Sequence, residues 1–180
     1  MRSIALIGYM CVGKTTIGKA LAQRLGCTFY DLDWYIEERF HSKVSEIFAR
    51  DGENKFRDLE RRMLHEVVEF ENVVVACGGG TPCFFDNIDY MNTCSTTVYL
   101  RATADTILEH LSISRGKRPL LEGKTVEELN RYVRKQLSDR EPCYMKAKYI
   151  QEISPLNDFD KINNIAEQII TKLNITQRQK

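Results

Sequence analysis

The chain has 180 residues, of which 43% are hydrophobic and 28% charged, so it is long and apolar enough for one domain with a buried core. Its 26 basic and 25 acidic residues give a formal net charge of +1. This balance excludes a global attraction for nucleic acid or an anionic membrane. Six cysteines without a C-x-x-C pair and three separated histidines indicate neither a disulfide framework nor a zinc site. The apolar runs are strand-sized and no secretion signal is visible, which predicts a cytoplasmic protein.

Short β-rich segments alternate with helical patterns along the chain. Apolar residues recur at helical spacing over 17–25 and 162–173, and Thr125 with Glu128 forms a capping box that opens another helix. The predicted strands are residues 3–7, 28–32, 72–76, 96–100 and 149–153. Several are continuously apolar, as expected for parallel strands covered on both faces. The alternation predicts an α/β fold, a three-layer α/β/α sandwich around a five-stranded parallel sheet.

Two segments fit this alternation poorly, although no linker divides the chain and we predict a single domain over 1–180. Residues 33–71 are too long for one crossover and carry charged helical patterning, so we predict a helical insertion beside the sheet. Residues 112–124 contain two glycines, a proline and four cations. This composition predicts an exposed mobile loop, and a solvated loop without a function is the alternative.

The first predicted strand runs into Gly8-Tyr9-Met10-Cys11-Val12-Gly13-Lys14-Thr15, which matches the phosphate-loop pattern G-x-x-x-x-G-K-[ST]. Such a loop wraps a polyphosphate in backbone N–H groups, its lysine reaches the β- and γ-phosphates, and its Ser or Thr hydroxyl ligates Mg²⁺. We therefore predict a P-loop NTPase-type fold that binds a nucleoside triphosphate and Mg²⁺. The predicted nucleotide-binding residues are Gly8, Met10, Cys11, Val12, Gly13, Lys14, Thr15 and Thr16, with Thr15 also a metal ligand. No D-x-x-G switch or N-K-x-D base reader is present, which disfavours a GTPase.

Three further features predict a site for the acceptor. The second strand ends in Asp31-Leu32-Asp33, and period-two spacing predicts both carboxylates on one side of this strand, one for the magnesium shell and one for a hydroxyl proton; a simple helix cap is the alternative. Arg57 lies in a charge-dense helical segment, where a solvated salt-bridged face is the alternative. Gly78–Gly80 follows the third strand. Its bare backbone would allow a ligand to approach closely, and a simple tight turn is the alternative.

In combination, these motifs resemble the shikimate kinase family over about residues 4 to 145. The motifs that carry the resemblance are the phosphate loop, Asp31-Leu32-Asp33, Ser45–Phe48 with Gly52-Glu53 and Phe56–Glu60, Gly78–Gly80, Arg118-Pro119-Leu120-Leu121, and Arg140 with Tyr144.

The resemblance implies transfer of the ATP γ-phosphate to the 3-hydroxyl of shikimate, in aromatic amino-acid biosynthesis. It implies that Asp33, Lys14 and Arg118 are catalytic and that Asp31 supports the metal. Arg118 would also contact the nucleotide, from a lid over about 112–124, and the helical insertion would bind the substrate over about 33–62. Substrate-binding residues would be Asp33, Arg57, Gly78, Gly79, Gly80 and Arg140. Segment 153–155 is a candidate for lining the base through Pro155. The family has glycine where Cys11 stands and a small residue where Val12 stands.

Two other functions remain open from the sequence. One is another small-molecule kinase of the same architecture, acting on a sugar acid such as gluconate. The other is a regulatory nucleotide-binding module without catalysis, although such a module has no need of an acceptor pocket. We expect shikimate and ATP as the only partners, no nucleic acid or membrane, and a monomer.

Overall fold

A computed structural model describes residues 1–113, 125–156 and 158–175. Its sheet has five parallel strands in the order β2-β3-β1-β4-β5. Their bounds are β1 (Ile4–Ile7), β2 (Thr28–Asp31), β3 (Val73–Ala76), β4 (Thr96–Arg101) and β5 (Tyr149–Glu152). Each predicted strand is thus confirmed to within one residue at either end.

Helices flank the sheet in the predicted three-layer arrangement. They are α1 (Lys14–Leu25), α2 (Leu32–Phe40), α3 (Val44–Val68), α4 (Asn87–Cys94), α5 (Ala104–Ile113), α6 (Val126–Tyr144) and α7 (Phe159–Lys172). Helix α1 packs on α7, and α5 packs on α6. The predicted capping box opens α6, because the Glu128 N–H donates to Thr125 Oγ1 at 3.2 Å and the Thr125 N–H donates to Glu128 Oε2 at 2.8 Å. Within the described residues, no helix combines the length and the apolarity that a membrane span requires.

The register of the central strands aligns the segments that follow them. Leu6 of β1 pairs with Ala76 of β3, which in turn pairs with Asp31 of β2. The loop that begins at Gly8, the start of α2 and the glycine segment Gly78–Gly80 therefore leave the sheet side by side. In parallel sheets, ligands bind at this carboxyl edge. Both β1 and β3 are buried along their whole length, so the edge is fixed by the core.

Residues 33–62, predicted as a helical insertion, lie in α2 and much of α3, between β2 and β3. Helix α3 is interrupted at Gly52, whose φ of 80° and ψ of 169° are not helical. A β-carbon there would contact nothing within 4 Å, so the backbone conformation alone requires glycine. The Phe48 and Phe56 ring centroids lie 4.2 Å apart across this interruption. Residues 114–124 of the predicted lid, including Arg118, lie outside the described residues.

Helix α1 lies so close to the sheet that Gly18 has no room for a side chain. A β-carbon on Gly18 would lie 2.5 Å from Phe29 Cε2 and 3.2 Å from Leu6 Cδ1. In an exposed helix, Gly→Ala stabilises by about 1 kcal/mol. Overpacking a core costs about 1–3 kcal/mol, so we expect Gly18→Ala to lower the free energy of unfolding by about 1 kcal/mol in urea titrations.

The matched control for this variant is Gln23→Ala, at an exposed position of the same helix. Its free energy of unfolding should stay within about 0.5 kcal/mol of wild type. A Gly18→Ala variant as stable as wild type, or more stable, would show that the helix does not contact the sheet this closely.

Candidate active site

The phosphate loop departs from ordinary backbone conformations at three residues. Gly8 has a φ of 140°, and a β-carbon there would lie 2.6 Å from the Leu100 carbonyl oxygen. Gly13, the N-cap of α1, has a φ of 91°. Cys11 has a φ of 63°, a left-handed conformation that costs a non-glycine residue about 1 kcal/mol. The position where the resemblance implies glycine thus keeps the backbone conformation that glycine favours.

Lys14 folds back over this loop from the first turn of α1. Its Nζ donates to the carbonyl oxygens of Gly8 and Tyr9 at 2.9 and 2.8 Å. Desolvation lowers the pKa of Lys14 to about 8, and the negative charge of Asp33 partly offsets that shift. A bound polyphosphate would favour the charged form, because it places anionic oxygens next to the ammonium group.

Asp31 links the phosphate loop to α2. Its Oδ2 accepts a hydrogen bond from the Thr15 hydroxyl at 2.8 Å, and its Oδ1 accepts one from the Asp33 N–H at 3.2 Å. The prediction that Asp31 and Asp33 lie on one strand is wrong, because β2 ends at Asp31 and Asp33 belongs to the first turn of α2. The helix begins at once, so both carboxylates still line one cavity. Asp31 is therefore a helix cap and also a neighbour of the phosphate loop.

The Thr15 and Asp31 side chains are suitable for Mg²⁺. Both offer hard oxygen donors, and they lie within hydrogen-bond distance of each other. In the described ranges, no three His, Cys, Asp or Glu side chains cluster as a metal site. Magnesium is commonly held by one or two protein oxygens together with water and substrate phosphates, so the two donors Thr15 and Asp31 are sufficient in number.

Asp33 lies between the phosphate loop and the glycine segment. Desolvation raises its pKa to about 6, the charges of Asp31 and Glu60 add to the shift, and Lys14 opposes it. A carboxylate with a pKa near neutrality accepts a proton better than an ordinary aspartate. Asp33 is therefore suited to act as a general base.

Asp33, Arg57 and Arg140 all approach the glycine segment Gly78–Gly80. A β-carbon on the first glycine would lie 3.4 Å from Asp33 Oδ1, and one on the second would lie 3.7 Å from Arg140 Nη1. On the third, it would lie 2.9 Å from Arg57 Nη2. None of the three has a left-handed φ. Close approach of side chains, rather than a tight turn, is thus the reason for glycine here.

Arg57 is held in place rather than exposed to solvent. This excludes the alternative interpretation of the segment around Arg57 as a solvated, salt-bridged face. Its side chain is 12% exposed, and Nη1 donates to the buried Glu60 Oε2 at 2.7 Å. Its guanidinium carbon lies 4.1 Å from the centroid of the Phe84 ring. Glu60 also accepts a hydrogen bond from the Thr81 hydroxyl at 2.5 Å, so both of its oxygens are engaged. The orientation of Arg57 is fixed from behind.

The C-terminal part of α6 contributes the second arginine. The Tyr144 hydroxyl donates to the Gly79 carbonyl oxygen at 2.5 Å, which ties this helix to the glycine segment. The guanidinium carbon of Arg140 lies 5.8 Å from the Tyr9 ring centroid. Arg140 therefore lies between the phosphate loop and the glycine segment.

The phosphate loop, the start of α2 and the glycine segment border a cavity of about 470 Å³. Among the predicted residues, those that line it are Met10, Cys11, Gly13, Lys14, Thr15, Thr16, Asp31, Asp33, Gly78 and Gly79. Val12 is fully buried, and Gly8, Gly80, Arg57, Arg140 and Pro155 are not part of the lining. Leu156, next to Pro155, lines the cavity with His110 and Ile113. The predicted site residue Arg118 lies outside the described residues.

Sequence reasoning missed two groups of residues at this site. The i,i+3 spacing of Arg57 and Glu60 is a signal that could have identified Glu60 as the partner of that arginine. His110 and Leu156 had no such signal, since they approach the phosphate loop only through the packing of α5 and of the segment after β5.

A phosphate loop that shares its cavity with a carboxylate of raised pKa, with two arginines beside it, defines a P-loop kinase of small anionic molecules. The sequence model of the shikimate kinase family matches residues 10–174. The chain is 49% identical to the shikimate kinase of Phocaeicola vulgatus, over 97% of this chain and 99% of that protein. The protein belongs to the shikimate kinase family, and its activity is the ATP-dependent phosphorylation of shikimate.

Solved structures agree with this assignment. The crystal structure of shikimate kinase from Bacteroides thetaiotaomicron superposes with a TM-score of 0.93 at 47% identity, covering 96% of this chain and 98% of that one. The enzyme from Acinetobacter baumannii, in complex with shikimate, superposes with a TM-score of 0.83 at 30% identity, covering 99% and 96%. A gluconokinase from Sinorhizobium meliloti superposes with a TM-score of 0.64 at 16% identity, covering 95% of this chain and 92% of that one. At this identity the similarity shows only that the two proteins share a fold.

The raised pKa of Asp33 predicts a gain in stability when its charge is removed. Because the folded-state pKa of about 6 lies above the ordinary 3.8, ionisation of Asp33 destabilises the fold as pH rises through 6. We expect Asp33→Asn to raise the free energy of unfolding by about 1–2 kcal/mol at pH 8, after allowance for partial solvent screening.

The gain should disappear below pH 4, where Asp33 is protonated in the folded and unfolded states alike. Denaturant titrations at pH 4, 6 and 8 measure this trend, with Asp58→Asn on the exposed side of α3 as control. An Asp33→Asn variant that loses stability at pH 8 would contradict the electrostatic argument.

Proposed function

We propose that Asp33 accepts the proton of the shikimate 3-hydroxyl during transfer of the ATP γ-phosphate, and that Arg57 and Arg140 bind the shikimate carboxylate. The observation that carries this proposal is the position of Asp33. It interacts with Lys14 of the phosphate loop and approaches the glycine segment that also contacts both arginines. A substrate held there lies between the phosphate donor and the proton acceptor.

Arg57 supports the carboxylate assignment because its two edges differ. The inner edge donates to the buried Glu60 at 2.7 Å, whereas the outer edge reaches Glu53 only at 3.3 and 3.4 Å. Glu53 is 57% exposed, so it can leave at little cost. A substrate carboxylate can then take the outer edge in a bidentate pair, which is the geometry that favours arginine over lysine.

The donor side depends on the phosphate loop and Lys14. The loop N–H groups and the N-terminus of α1 favour a bound polyphosphate, and Lys14 adds a cation next to Asp33. Mg²⁺ supplies charge neutralisation on the phosphate oxygens when bound, and Thr15 with Asp31 would hold it. In such reactions the protein contributes mainly positioning and electrostatic stabilisation, since little covalent chemistry is required of it.

Arg118 is proposed as the catalytic arginine. Pro155 is proposed as a contact to the base, because Leu156, the residue next to Pro155, lines the cavity. We assign the protein to the cytoplasm and to aromatic amino-acid biosynthesis. None of its six cysteines, all within the described residues, forms a disulfide, which agrees with a reducing compartment.

The acceptor specificity is tested by a substrate panel. ADP release with ATP and Mg²⁺ is measured for shikimate, quinate, gluconate and nucleoside monophosphates. We expect shikimate to give the highest kcat/KM, and its methyl ester to lose about 100-fold because the arginines then lack their charged partner. An ester as good as the acid would remove Arg57 and Arg140 from carboxylate binding.

The role of Asp33 is tested by comparing variants at the two ends of the cavity. We expect Asp33→Asn to lower kcat about 10²–10⁴-fold, as is typical for loss of a general base, with ATP affinity within about twofold of wild type. Lys14→Met should weaken both turnover and ATP binding, since it removes the cation for the phosphates. Steady-state rates and calorimetric ATP titrations give both quantities. Wild-type turnover by Asp33→Asn would eliminate the proposed base.

A further inference from the structure

Both ring nitrogens of His110 are occupied by backbone groups of two separate segments. His110 lies on α5 and is 9% exposed. Its Nδ1 lies 2.8 Å from the carbonyl oxygen of Cys11, and its Nε2 lies 2.8 Å from the backbone nitrogen of Leu156. The imidazole therefore connects the phosphate loop to the segment between β5 and α7.

These two contacts define the tautomer of the ring. A carbonyl oxygen can only accept, so Nδ1 carries the proton and donates to Cys11. The Leu156 N–H can only donate, so Nε2 is the unprotonated acceptor. With both nitrogens engaged, His110 has no free lone pair for a metal and no free N–H for a substrate. Its role at the cavity is exerted through the groups it holds.

The group held at Nδ1 matters because of its place in the phosphate loop. Backbone N–H groups of such a loop must face the anion, and a carbonyl oxygen turned inward would repel it. Cys11 has the left-handed φ of 63° that a non-glycine residue adopts only at a cost. A buried hydrogen bond to its carbonyl oxygen offsets this cost and keeps the oxygen turned toward α5.

The group held at Nε2 is the backbone N–H of Leu156, in a second wall of the cavity at the end where we place the nucleotide. Leu156 lines the cavity, and a β-carbon on Gly13 would lie 2.3 Å from Leu156 Cδ1. The leucine thus packs directly on the residue that caps α1. The hydrogen bond from Leu156 to His110 fixes the distance between this segment and the phosphate loop.

We propose that His110 is a positioning residue for the nucleotide, which holds the Cys11 carbonyl oxygen and the Leu156 N–H so that the phosphate loop and the 153–156 segment bind one ATP molecule together. The inference rests on the proposed function only in placing ATP in this cavity. The acceptor end, at Asp33 and Gly78–Gly80, is not part of it.

The main test compares His110→Leu with wild type in steady-state kinetics. The leucine variant leaves both backbone groups without a partner, so we expect KM for ATP to rise about tenfold. The values of kcat and of KM for shikimate should stay within twofold. The control is Ile107→Val, one turn earlier on the same buried face of α5, which should leave KM for ATP unchanged.

Two polar variants separate the two hydrogen bonds. His110→Asn places an amide donor near the former Nδ1, and His110→Gln places an amide oxygen near the former Nε2. Inorganic tripolyphosphate, a competitor that needs only the phosphate loop, is the probe. With Asn we expect a wild-type inhibition constant but a roughly threefold higher KM for ATP. With Gln we expect both to weaken about threefold.

A KM for ATP within twofold of wild type in His110→Leu overturns the inference. An equal rise in the KM for ATP in Ile107→Val also overturns it, because the effect would then reflect general stability. Should His110→Leu fail to fold, the Asn and Gln variants carry the test, and identical behaviour of the two overturns it. If wild type does not phosphorylate shikimate, the proposed function fails, while tripolyphosphate and ADP titrations still test His110.

Discussion

The active site depends on keeping a carboxylate and an ammonium group partly out of water at the carboxyl edge of the sheet. Desolvation raises the pKa of Asp33 to about 6 and lowers that of Lys14 to about 8. Each shift is a cost to the folded state, because the charged form of each group is less stable there than in water. The buried strands β1 and β3 stabilise the fold against this cost. Holding both groups in this environment thus lowers the stability of the protein that carries them.

Absence of side chains is as important to this site as the side chains themselves. At Gly78–Gly80, a β-carbon would approach Asp33, Arg140 and Arg57 within 2.9–3.7 Å. Three functional groups from three helices can converge on one segment only because that segment is bare backbone. The Tyr144 hydroxyl and Glu60 then fix the convergence from outside, through Gly79 and Arg57 respectively.

The sequence predicted what depends on local pattern and adjacency in the chain. Continuous apolar runs located the strands, and the phosphate loop follows one of them directly. The same reasoning failed at Asp33, because a strand can give way to a helix within one residue and a period-two pattern does not reveal where. It had no access to His110 and Leu156, since their contacts join residues 99 and 46 positions apart. Such pairs arise from helix packing, which one sequence does not encode as a readable spacing.

Strand register sets the distance between the phosphate loop and the glycine segment. The Cys77 N–H donates to the Leu6 carbonyl oxygen at 3.0 Å, one step beyond the pairing of Leu6 with Ala76. That bond fixes how far the glycine segment lies from the phosphate loop, and a β-carbon on Gly79 would lie 3.3 Å from the Met10 nitrogen. Because β1 and β3 are wholly buried, a slip in register would expose their apolar side chains or bring other side chains into the core, where they would pack poorly. The hydrophobic core therefore determines the spacing between the phosphate loop and the glycine segment, and the residues proposed to bind substrate inherit their spacing from it.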